Sequence, residues 1–181
     1  MPATTRSLRP NADEFAPYYG RYINLIGDTD ILELLARQVH ETLETFGTLR
    51  EDQANFRYAP GKWTVKEMVG HMVDTERIMA YRALRFARND QTPLPGFEQD
   101  DYVKFGGFEH CQLADLLAEF NVVRDANLRM FRGFDPEAWT RSGIGSGNKM
   151  SVRALAYVIA GHEQHHRNIL REKYLPAMNK D

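Results

Sequence analysis

Val152-Arg153-Ala154-Leu155-Ala156-Tyr157-Val158-Ile159-Ala160-Gly161-His162-Glu163-Gln164-His165-His166-Arg167-Asn168-Ile169 is the stretch whose periodicity decides the fold. Val152, Leu155, Ile159, His162, His166 and Ile169 recur at steps of 3, 4, 3, 4 and 3, the seam by which a helix packs into a bundle core. Ser151 suits an N-cap and Pro176 suits a stop, so the spacing predicts a helix from about Ser151 to Tyr174. His162 and His166 hold two consecutive seam positions, separated by about 6 Å of rise and ~40° of rotation. Both imidazoles can therefore aim at one point. A buried imidazole needs partners for two ring nitrogens, so two adjacent ones without partners are costly.

Working backwards along the chain, three further segments show helical spacing. Leu113, Leu116, Leu117, Phe120, Val123 and Met130 mark a helix from about Leu113 to Phe131. Thr64-Val65-Lys66-Glu67 has the S/T-x-x-E form of a capping box and opens a helix through Met68, Met72, Thr75, Met79 and Phe86 that ends near Arg88. Ile31, Leu35, Val39, Thr42, Phe46 and Leu49 mark the first, from about Asp28 to Leu49, with Asp30 and Glu33 spaced as a capping box. Asn89 to Gln112, with Pro93, Pro95, Gly96, Gly106 and Gly107, is long enough to cross from one end of a bundle to the other. Asn11 to Ile26 adds a short extra helix carrying Phe15, Tyr18, Tyr19, Tyr22 and Ile23. No segment alternates with period two. The expected architecture is an all-α four-helix bundle with its core at about 28–174, in a single domain spanning 1–181, with one long crossover between helices two and three.

The composition agrees. Of 181 residues 43% are hydrophobic and 27% charged, and the net charge is only −2, which excludes a disordered chain. No run approaches the ~20 apolar residues of a membrane span, and Met1 to Pro10 lack the apolar stretch of a secretory signal. With 23 basic and 25 acidic residues, nothing favours bulk capture of nucleic acid. The single cysteine, Cys111, excludes an internal disulfide and a Cys-rich metal cluster, so the expected location is the cytoplasm.

His71 lies three residues after Met68 and four before Thr75, on the flank of the second helix's apolar face. Three histidines from two packed helices, with one position left open, is how catalytic zinc sites are built, and His71, His162 and His166 are the expected ligands. His165 falls about 100° around the helix from His166 and is expected to line the pocket or support the ligands. His40 and His110 have no such context. His162-Glu163-Gln164-His165-His166 also matches the H-E-x-x-H protease signature. The rest of that motif is missing: Ile169 stands where a turn glycine belongs, and Glu172 lies about 15 Å along the axis from His162. Glu163, one residue off the seam, is a candidate to line the pocket or support the ligands, against the reading that it is a solvated or boundary side chain, and proteolysis is disfavoured.

Gly61-Lys62-Trp63-Thr64-Val65-Lys66-Glu67, Gly70-His71-Met72-Val73-Asp74-Thr75-Glu76-Arg77 and His162-Glu163-Gln164-His165-His166-Arg167 together resemble the DinB/YfiT-like family of four-helix metal-binding proteins, from about Phe15 to Leu170. The resemblance implies an up-down-down-up bundle, commonly a homodimer, holding a divalent ion such as zinc or nickel on His71, His162 and His166. It also implies thiol chemistry, since relatives include bacillithiol-dependent transferases and a mycothiol-dependent isomerase. The expected function is thus transfer of a low-molecular-weight thiol onto an electrophilic small molecule at the open metal position. The alternatives are a small hydrolase using metal-bound hydroxide and a non-catalytic metal-binding bundle. Asp74 and Glu76 either orient a ligand or form a salt-bridged helix face. Arg77 and Arg82 are candidate anchors for an anionic cofactor, and Trp63 reads as a packing residue. Helix one and the aromatic N-terminal segment (Phe15, Tyr18, Tyr19, Tyr22) offer more apolar surface than four helices cover, so a homodimer is expected, the alternative being that the segment folds back over its own bundle.

Overall fold

The computed structural model describes residues 8–178; the expectation drawn from Met1 to Pro10 falls largely outside them. Two 3-10 turns, Ala12–Glu14 and Pro17–Tyr19, lead into α1 (Gly20–Ile23). Then follow α2 (Ile31–Gly47), α3 (Glu51–Ala54), α4 (Val65–Ala87), α5 (Gln99–Phe105) and α6 (Leu113–Arg132). A hairpin of β1 (Ser142–Gly145) and β2 (Asn148–Ser151) precedes α7 (Val152–Ile169), and a π-turn over Leu170–Tyr174 joins it to α8 (Leu175–Met178).

The long helices begin where side chains answer their free amides. Thr64 Oγ1 accepts from Glu67 N at 3.1 Å while Glu67 Oε2 accepts from Thr64 N at 2.6 Å, closing the capping box of α4. Asp30 caps α2 by accepting from Leu32 N at 3.0 Å. Ser151 caps α7 by accepting from Ala154 N at 3.1 Å. Pro176 does not stop the chain's helical course. It sits in the first turn of α8, where no N–H is required of it, and the wider π-turn before it absorbs the change of hydrogen-bond register.

α2, α4, α6 and α7 form the bundle. Gln38 Nε2 donates to Ala160 O and Thr42 Oγ1 meets Glu163 Oε1, so α2 and α7 run parallel. Met79 and Phe86 of α4 share one apolar cluster with Leu128 and Phe131 of α6, and Val65 and Met68 share the other with Leu113 and Leu116, so α4 and α6 run parallel too. Leu155 and Ile159 lie with the end of α4, and Leu128 and Phe131 lie with Ile31 and Leu35 at the start of α2. The course is therefore up-down-down-up. The two apolar clusters are separated by a layer of buried polar side chains that includes Thr42, His71, Glu76, Arg124, His162, Glu163 and His166.

Two features of the connections differ from expectation. The hairpin forms although neither four-residue strand alternates apolar with polar residues in its sequence. Its turn places Ser146 and Gly147 at positive φ, 53° and 73°, as a two-residue hairpin turn requires. The crossover is pinned to it, since Leu94 N donates to Ile144 O at 2.9 Å and Ser146 N to Leu94 O at 3.1 Å. Arg82 is buried beneath this junction, donating to Pro95 O and Ser146 Oγ at 2.8 Å each, so it anchors backbone and not an anion. The aromatic N-terminal segment folds onto its own bundle. Glu14 accepts from Ser151 Oγ and Arg153 at the start of α7, and Tyr19, Tyr22 and Ile23 are buried. Gly161 makes this possible, because a Cβ there would lie 2.2 Å from Tyr22 O.

Candidate metal centre

His71 projects from the first third of α4, as the seventh residue of a helix whose start is fixed by the Thr64–Glu67 box. His162 and His166 project from α7, antiparallel to it, and all three are buried. His71 Nε2 lies 3.0 Å from His162 Nε2, and His166 Nε2 lies 3.1 Å from the same atom. The ligand atoms of the three all fall within 4.8 Å of one another. Among the described residues no carboxylate or cysteine joins them.

Such a cluster satisfies itself poorly. Each neutral imidazole has one N–H and one lone pair, and the single Nε2 of His162 cannot align with two neighbours at once. His166 Nδ1 is also buried without a partner among the described residues. Protonation is no remedy. Burial, and then the proximity of His165, push His71 down to about 4. Burial and the neighbouring imidazoles push His162 and His166 well below the usual histidine range. At neutral pH the triad therefore presents uncharged nitrogens, the form that ligates a metal. Nitrogens around a tetrahedral zinc stand about 3.3 Å apart, from bond lengths of about 2.0–2.1 Å, close to the spacing found. The residues fit a divalent ion, which the three-histidine cluster can coordinate.

Aromatic rings wall the triad. The Trp63 ring centroid lies 4.7 Å from that of His71 and 6.5 Å from that of His166, nearly parallel to the latter. Tyr22 stands edge-on to His162 at 5.3 Å and to His165 at 5.5 Å. Trp63 is thus more than a packing residue. A signal for it exists in the sequence: it immediately precedes the N-cap Thr64, where an apolar residue folds back over the first turn toward Met68, one turn before His71. Tyr174 holds it there by donating to Trp63 O at 2.6 Å. Two clefts reach the triad, one of about 400 Å³ ending on His71 and His162, the other of about 410 Å³ ending on His166. His165, half-buried, lines the second.

The other expected residues separate. Glu163 is not at a boundary: α7 is enclosed by α1, α2 and α4, so a position off the seam still faces the interior. Its Oε1 meets Thr42 Oγ1 at 2.5 Å and its Oε2 accepts from Arg124 Nη2 at 2.7 Å. With both oxygens engaged it is not free to serve as the base of a zincin protease. Glu76 joins the same network, accepting from Arg124 at 2.8 and 2.7 Å and from Asn127 at 3.2 Å. Arg124 also donates to Leu35 O at 2.9 Å, so one guanidinium touches α2, α4 and α7. Its place was legible as a charge on the stripe Leu117, Phe120, Arg124, Leu128, which the structure buries in preference to Val123 and Met130. Asp74 lies away from the triad, 4.0 Å from Arg77, which itself pairs with Glu119 at 2.6 Å, so both belong to a salt-bridged face. His40 and His110 are exposed.

No helix among the described residues is long and apolar enough to cross a membrane. A protein of Oceanobacillus iheyensis named as a candidate metal-dependent hydrolase is 23% identical over 136 residues, covering 68% of this chain and 71% of that protein. YfiT from Bacillus subtilis, described as a candidate metal-dependent hydrolase with an unusual four-helix bundle topology, superposes with a TM-score of 0.66 at 14% identity, covering 91% of this chain and 93% of that one. That superposition shows a shared fold. Residues 34–170 match the model of the DinB superfamily, and with the up-down-down-up bundle around three buried histidines this makes the chain a member of that superfamily.

Proposed function

We propose that the chain is a metal-dependent hydrolase of a small organic molecule, with His71, His162 and His166 holding a divalent ion, zinc or nickel. The observation that carries this reading is the convergence of three uncharged Nε2 atoms at the floor of an open cleft, with no fourth protein ligand among the described residues. A bound ion supplies Lewis-acid activation of water and of the substrate's electrophilic centre. Trp63 and Tyr22 shield the triad from bulk water on two sides. The Arg124 network fixes α4 and α7 relative to each other, and with them the spacing of the imidazoles. His165, held neutral by burial and by Arg21, is the base available at the mouth of the second cleft. The hydrolase names carried by both relatives support the reading.

Thiol transfer, the first expectation from the family resemblance, is the second reading. The presence of two clefts at one triad favours it, since a thiol such as bacillithiol or mycothiol and an electrophile would each have a side. One experiment separates the two. Protein purified without chelator or metal-affinity resin is analysed for metal, then assayed on esters, amides and electrophiles with and without added thiol. Hydrolysis predicts turnover without thiol that chelation abolishes and metal restores; turnover only when thiol is present would overturn it.

A further inference from the structure

The two clefts differ in charge. The cleft ending on His71 and His162 carries Glu98 and Asp100 at its rim and no lysine or arginine in its lining. The cleft ending on His166 carries Arg21 and Lys62, with Asp100 shared between the two. All four groups are exposed at the mouths. Among the described residues neither Arg21 nor Lys62 has an ion-pair partner: Arg21 lies over the Tyr18 ring at 4.1 Å, and Lys62 is held only through its backbone. Tyr18 and Tyr22 line both clefts and form the partition above the triad.

The field across the triad therefore runs from a basic side to an acidic side, and an elongated molecule lying over the histidines meets opposite charges at its two ends. Each cleft is within the size of a small-molecule pocket. We propose that the substrate is a small zwitterionic amide or ester, its carboxylate end held by Arg21 and Lys62 and its ammonium end by Glu98 and Asp100, with the scissile bond over the triad. This rests on the hydrolase reading. In the step, water adds its oxygen to the carbonyl carbon, the C–N or C–O bond breaks, and the two water protons go to the leaving amine or alcohol and to solvent. Aromatic rings on the basic side, Trp63, Tyr58 and Tyr174, give the carboxylate-bearing half an apolar body to lie against.

The test uses cobalt(II)-loaded protein and three hydroxamates, whose binding is read from the visible cobalt spectrum: acetohydroxamate, succinic acid monohydroxamate and β-alanine hydroxamate. The wild type is expected to bind the carboxylate and ammonium probes about fivefold more tightly than acetohydroxamate at low salt, as two exposed charge contacts provide, with the preference erased at high salt. Arg21→Glu with Lys62→Glu should remove only the carboxylate preference, and Glu98→Lys, which lines only the acidic cleft, only the ammonium preference. If charged and uncharged probes bind alike, or if the charge-reversed variants keep both preferences, the substrate class is wrong while the metal centre stands. If cobalt binds and no hydroxamate perturbs it, the open metal position is absent and both readings fall.

Discussion

Arg124→Met is expected to strike stability and metal affinity together. The guanidinium is 1% exposed and donates four hydrogen bonds, to both oxygens of Glu76, to Glu163 Oε2 and to Leu35 O. Its removal leaves two carboxyl groups, 3% and 2% exposed, without their shared cation. Breaking a buried ion pair from one side costs about 3–5 kcal/mol, a large share of the roughly 5–15 kcal/mol that holds a domain folded. The metal should suffer as well, because Glu76 and Glu163 lie on the two helices that carry the triad, and loss of supporting contacts typically weakens metal binding by about 10–100-fold. Urea unfolding of the metal-free protein measures the first effect, and competition with a chromophoric chelator measures the second. Adding Glu76→Gln and Glu163→Gln removes the stranded acids, so the triple variant should regain most of the stability but not the affinity. If Arg124→Met unfolds within about 1 kcal/mol of wild type, below the range for a buried pair, and binds metal equally well, the network does not hold the helices in register and the argument fails.

Three further outcomes are expected. His71→Ala and His166→Ala should each lose most of the metal by elemental analysis while His165→Ala keeps it; near-stoichiometric metal in the first two would show the ligands to be misassigned. The metal-free protein should lose stability as pH falls from about 6.5 toward 4, because there the unfolded chain binds protons that the buried His71, held at about 4, refuses; this amounts to about 3 kcal/mol for that residue. The pH slope should be shallower in His71→Gln, and an unchanged slope would contradict the assignment. Gly161→Ala should destabilise by roughly 1–3 kcal/mol through overpacking, since the new Cβ meets Tyr22 O at 2.2 Å; a melting temperature equal to wild type would mean that α1 is not seated on α7 as described.

The four bundle helices were legible because their signals are local. Capping residues and apolar steps of three and four sit inside each segment and need no knowledge of partners. The convergence of His71, His162 and His166 was legible for the same reason, as an interruption of apolar stripes by imidazoles. What was hidden depends on partners far along the chain. Strands Ser142–Gly145 and Asn148–Ser151 exist because they pair with each other and because Leu94 closes onto Gly145. Glu163 reads as peripheral when α7 is given a single buried face, yet α7 is covered on several sides, so its one-face pattern understates its burial. Pro176 reads as a stop because a π-turn leaves no pattern in the residues that form it.

The enclosure of α7, buried at every residue from Val152 to Glu163, divides the molecule into a part that resists change and a part that tolerates it. Any substitution near the histidines on that helix disturbs several packed neighbours at once, so the chemistry has little freedom to drift. The residues that give each cleft its character, Tyr18, Arg21, Lys62, Glu98 and Asp100, lie on the N-terminal segment, the loop before α4 and the crossover, outside the four bundle helices. Changes there alter what enters without unsettling what reacts. New substrate preferences should therefore be selectable by randomising those rim positions, with the bundle left as it is.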